Sequence, residues 1–119
     1  MMSWQQQIEV RQAALEPVVN RALAAVRAAV VERRPALREA FFYGAIGIDP
    51  KHLAVWYILA TDSDIAAATR TGLAKELERR TREALRTEGY PDLAIDQLHV
   101  GLASDEAIHR AGGFRAYFA

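Results

Sequence analysis

Three histidines, His52, His99 and His109, are the side chains best suited to proton transfer or metal ligation near neutral pH. No two of them stand at the i, i+4 spacing that places a helical pair on one metal ion. Cysteine is absent, which excludes disulfides, thiol catalysis and cysteine-ligated zinc. Asp62 and Asp64 alternate as the first ligands of a calcium loop do. The glycine at the sixth position and the glutamate at the twelfth are missing, so that loop is not expected. Gly44 and Gly47 lie on an apolar run and match neither the dinucleotide fingerprint nor a P-loop. A bulge, or the close approach of another backbone, fits them better. Ser3, Ser63 and Ser104 read as helix caps rather than nucleophiles.

One constellation remains. If the last two strands of the chain are neighbours, His99, Arg115 and Tyr117 share the less apolar face of a sheet, with Trp56 or Tyr43 beside them. Such a set could bind a small molecule; a satisfied histidine and an arginine at a sheet edge is the simpler reading. No catalytic residue, metal ligand or cofactor is assigned.

These side chains depend on the stretch from Phe41 to Ala60 for their positions. Two apolar, aromatic and β-branched runs, Phe41–Ile48 and His52–Ala60, flank the turn signal Asp49-Pro50-Lys51, which predicts a β-hairpin. Period-two alternation separates the faces of a strand, yet here neither face is polar: Trp56 and Ile58 oppose Val55 and Leu59. A strand apolar on both sides needs cover on both sides. The second cover must be another helix, a second subunit or a partner.

Ahead of the hairpin, Ser3 caps a helical region reaching to about residue 36. Apolar residues at Trp4, Ile8, Leu15, Val19, Leu23, Val26 and Val30 describe one face. Pro17 interrupts this pattern and predicts a kink or break near Glu16. After the hairpin, Thr61 with Asp64 resembles a capping box. A long helix should follow from about Ser63 to Glu88, closed by Gly89 and Pro91. Its outer face mixes acids with arginines at four-residue spacing, as in Glu76 to Arg80, Glu78 to Arg82 and Arg79 to Glu83. Leu98–Ala103 alternates as a third strand, placed parallel to the second by the crossover helix. A short helix from Ser104 to about Arg110 and the break at Gly112-Gly113 lead to Phe114–Phe118, which reads as a last strand.

The expected fold class is α+β, in the order α(α)-β-β-α-β-α-β. A four-stranded mixed sheet is packed by a long N-terminal helix and a long central helix. At 119 residues the chain is expected to form a single domain. Fifteen basic and fifteen acidic residues cancel, so nothing draws the chain electrostatically to nucleic acid or an anionic membrane. No run is apolar and long enough to span a membrane, and the first residues lack the pattern of a secretory signal, so a cytoplasmic location is expected. Only Lys51 and Lys75 are lysines, and alanine is abundant, as in proteins of GC-rich bacteria.

The function expected from this pattern is a non-enzymatic protein-interaction module, a self-associating bacterial adaptor or immunity-like binding protein. Its interface would use Trp4, Ile8, Leu15, Trp56 and Ile58, with a second copy (a homodimer) or another protein as partner. The alternative is a small-molecule-binding protein or small enzyme. Its pocket would lie between the sheet and the N-terminal helix, near Trp56, His99, Arg115 and Tyr117.

Overall fold

A computed structural model describes residues 1–119. The fold is mixed α+β. Helix α1 covers Trp4–Ala29, strand β1 Glu39–Tyr43, strand β2 Ala54–Leu59, and helices α2 and α3 Asp62–Arg70 and Leu73–Thr87. Next come the short helix α4, Asp92–Ile95, strand β3, His99–Ser104, and two further short helices, α5, Asp105–Arg110, and α6, Phe114–Tyr117. No helix is long and apolar enough to cross a membrane.

The sheet has three strands in the order β1-β2-β3, not four. β1 pairs antiparallel with β2 and β3 pairs parallel with it, so the apolar strand β2 is central. The expected fourth strand is α6. Residues i and i+4 share a side in a strand and in a helix alike, so the aromatic spacing of Phe114 and Phe118 did not distinguish the two. Left-handed backbone at Gly112 and Gly113, with φ of 98° and 117°, turns the chain back over the sheet. One helical turn then sets both phenyl rings against Phe41, at 4.6 and 5.0 Å between centroids.

Two helices differ from the sequence expectation in opposite ways. α1 runs through Pro17 without a break. Leu15 before the proline and Val19 after it both pack on the same core, and that burial outweighs the lost hydrogen bond at an exposed position. The long central helix, by contrast, is divided. Thr69 and Thr71 are weak helix formers, and Gly72 takes φ 84°, ending α2 and opening α3. Nothing lies within 4 Å of a Cβ built at Gly72, so its role is conformational.

The main core lies between one sheet face and the helices. Val19, Leu23 and Val26 of α1 and Leu73, Leu77 and Leu85 of α3 pack on Val55, Tyr57 and Leu59. The second face of β2 is covered by the chain itself: Ile58, Ala103 and Ile108 form a smaller core, with Trp56, Phe41, Tyr117 and Phe118 packed around it. On the solvent side of α3, Arg79 pairs with Glu83, Arg80 with Glu76 and Arg82 with Glu78.

Candidate functional site

Trp56 and His99 meet on the second sheet face, their rings 4.8 Å apart. β2 and β3 bring them together: Trp56 stands opposite Gly101 in the parallel register, and His99 is two residues before it on the same face. Gly101 is required there. A Cβ would come within 2.6 Å of His99 Nε2 and 2.7 Å of Trp56 Cζ3, so the two rings fold over the space a side chain would fill. Phe118 closes the other side of Trp56 at 5.2 Å. The indole Nε1 is buried in this cluster without a hydrogen-bond partner.

Tyr117 packs edge-on against Phe118 at 4.8 Å and is half-buried, whereas Arg115 is exposed on α6. Trp56 and His99 are thus in contact, Tyr117 belongs to the same aromatic cluster, and Arg115 stands outside it. This cluster lies on the sheet face away from α1. Between α1 and the central strand β2 lies the main core.

Of the other residues singled out in the sequence, Ile58 is 2% exposed beneath Ala103 and Ile108. Trp4, Ile8 and Leu15 occupy the first half of α1. They continue, at steps of four and seven, the stripe that carries Val19, Ala22, Leu23 and Val26 into the core. Trp4 is 72% exposed, while Ile8 and Leu15 are half-buried. The reason is length. A helix of 26 residues is about 39 Å long, and the buried residues of its stripe begin only at Val19.

The overhanging half is held from below by the loop after β1. Gln12 accepts from the Gly47 amide at 2.7 Å and donates to the Gly44 carbonyl at 3.3 Å. A Cβ at Gly47 would sit 2.3 Å from the Ile8 carbonyl oxygen, so this is where the two backbones touch. The exposed Ile48 lies in the same loop, and its carbonyl accepts a long 3.5 Å contact from Arg11.

A polar knot joins the C-terminal ends of β2 and β3. The Ser104 hydroxyl donates to Asp62 at 2.6 Å and accepts from the Ala107 amide at 2.9 Å, capping α5. Arg110 reaches the other Asp62 oxygen at 2.8 Å. The Ser104 hydroxyl, and after it Arg110, hold the Asp62 carboxyl below its usual pKa. None of the three histidines bonds to this knot. It ties α5 to α2 and so anchors the segment that covers the second sheet face. Sequence reading missed it, as it missed the Gln12 clamp, because both join residues more than thirty positions apart. The only local signals were Ser104 as a cap and the paired glycines Gly44 and Gly47.

Comparison with protein-family models, with curated proteins and with solved structures found no match for this chain.

Proposed function

We propose that the protein is a single-domain, non-enzymatic interaction module that self-associates through the N-terminal half of α1. One observation carries this reading: the core-facing stripe of α1 extends past the core it packs on, leaving Trp4 72% exposed. An indole so placed still has most of its surface to bury. At about 25 cal/mol per Å2 over somewhat more than 100 Å2, each copy gains about 3 kcal/mol before the entropic cost of association. Two such stripes laid antiparallel across a two-fold axis make one self-complementary contact. A formal net charge of zero adds no repulsion between copies.

The other elements then have structural roles. The C-terminal helices cover the second sheet face, and the Asp62 knot holds them there. The expected setting is the bacterial cytoplasm, as a small adaptor or immunity-like binding protein. Trp4 reports directly on the proposed contact. In a Trp56→Phe background its emission should shift to the red on dilution, as the stripe is uncovered. Emission independent of concentration, from micromolar to millimolar chain, would rule out the stripe as the contact.

A further inference from the structure

The two free edges of the sheet are not equivalent. Beside β3 stand α2 and α3. Ser104 at the end of β3 is bonded to Asp62 of α2, and Arg82 of α3 donates to the carbonyls of Ile95 and Leu98 just before its start. Beside β1 stands α1, with Phe114 and Phe118 against Phe41 on the other sheet face. The His99 amide donates to the Leu53 carbonyl at 3.0 Å, which directs the odd-numbered residues of β2 toward β3 and Ala54, Trp56 and Ile58 toward β1. Their register partners are Tyr43, Phe41 and Glu39. Alternation therefore turns the amides and carbonyls of Ala40 and Phe42 away from the sheet. β1 has no lysine or proline, and its one charge is Glu39 at its start, so no side chain of the strand guards this edge.

Above this edge α1 forms the roof of a groove. Asn20, Leu23, Ala24 and Arg27 face Ala40 and Phe42 across it. A second groove shares Arg27 and continues to Val31 and Leu37. From Asn20 to Ala29, the last residue of α1, the helix advances about 14 Å, the span of about four residues of extended chain. Alanine at positions 24 and 28 leaves room for side chains under the roof. On the other sheet face, Tyr43 and Phe114, 46% and 48% exposed, both lie against Phe41. An added strand would find apolar contacts for both sets of its alternating side chains.

A second copy does not fit here by its own β1. Paired strands lie about 4.8 Å apart, whereas packed helices need about 8–10 Å between axes. α1 roofs the edge itself, so two copies would collide helix on helix. A lone extended segment carries no such helix. The groove beside the strand is neutral except for Arg27, which forms no ion pair.

We propose that the β1 edge is a strand-addition site for an extended, apolar segment of a partner protein that carries an acidic side chain toward Arg27. The segment hydrogen-bonds to Ala40 and Phe42, alternates its side chains between the α1 roof and the Phe41 face, and pairs its carboxylate with Arg27. The site is separate from the exposed stripe of α1, and neither depends on the other.

The test uses the full chain and an acetylated, amidated octapeptide alternating valine and threonine, with one central glutamate. Backbone amide exchange is followed by NMR. At saturating peptide the Ala40 and Phe42 amides should exchange at least about tenfold more slowly. The Arg27→Glu variant should bind this peptide more weakly and should prefer the same peptide with lysine in place of glutamate. Arg27 is exposed, so the variant folds, and unchanged exchange in its free form verifies that. Three results would overturn the proposal: no protection at millimolar peptide, protection at Val100 and Leu102 of the other edge instead, or Ala40 and Phe42 protected by raising the concentration of the chain alone. The last would assign the edge to a second copy.

Discussion

Replacing either partner of the Tyr57–Thr81 pair should have unequal effects, and the structure sets the order. Both residues are 0% exposed, and their oxygens lie 2.5 Å apart. Thr81 donates its only hydroxyl proton to the Leu77 carbonyl at 2.6 Å, so Tyr57 is the donor to Thr81. Tyr57→Phe leaves no buried group unpaired, because Thr81 keeps Leu77, and should cost about 1 kcal/mol, the net value of one hydrogen bond. Thr81→Val keeps the volume but leaves the phenol without an acceptor, which should cost about 2–3 kcal/mol. The double variant removes the orphaned hydroxyl and should cost less than Thr81→Val alone, a coupling of about 1–2 kcal/mol. Urea denaturation of the four proteins measures this, with midpoints compared at a common m-value. The same pair gives an alkaline signature. Burial pushes the Tyr57 pKa from 10.0 up to about 12. The neutral form is the one the fold favours, so this contribution is intact below pH 10.0 and lost as pH rises toward 12. Tyr57→Phe should lose that part of the alkaline limb. Additive single effects, or a Thr81→Val no worse than Tyr57→Phe, would refute the donor assignment.

Four further substitutions probe the supports of the fold. Gly47→Ala drives a methyl toward the Ile8 carbonyl and should destabilise by about 2–3 kcal/mol, while Gly72→Ala, strained but in open space, should cost only about 1 kcal/mol; thermal melts that reverse this order contradict the Gln12 clamp as described. Phe118→Ala in a Trp4→Phe background should cost about 2 kcal/mol and shift the Trp56 emission to the red, because Phe118 shields that indole; an unchanged spectrum would mean that α6 does not cover the sheet. Asp62 has a lowered pKa in the fold, so its contribution is present at neutral pH and lost as pH falls through the carboxylate range. Asp62→Asn should therefore flatten the acid limb of a melting series as pH falls through and below the ordinary carboxylate value of 3.8, and an unaltered limb would count against the knot.

The sequence disclosed the parts of this fold that rest on local pattern. The parallel placement of β3 followed from the crossover, and the charged face of α3 from its four-residue spacing. The aromatic run in β2 announced that both faces of the strand need cover. What covers the second face was not legible, because it depends on two glycines reversing the chain and on a short aromatic segment whose spacing suits a strand and a helix equally. Pro17 and Gly72 show the same limit from both sides. Intrinsic preference argued for a break at the proline, and packing of Leu15 and Val19 overrode it; the helical pattern ran on through the glycine, and the local conformation, φ 84° at Gly72, divided the helix there. The exposed stripe of α1 was visible as periodicity, but its exposure depends on where the sheet ends, which no local pattern encodes.

Sedimentation equilibrium of the wild-type chain and of Trp4→Glu, across one concentration series, tests the central claim most directly. The wild type should show a concentration-dependent rise from monomer to dimer mass. The Trp4→Glu variant should stay monomeric with an unchanged circular dichroism spectrum, since position 4 takes no part in the core. A wild type that remains monomeric at millimolar concentration, or a Trp4→Glu chain that associates as strongly, would contradict the account.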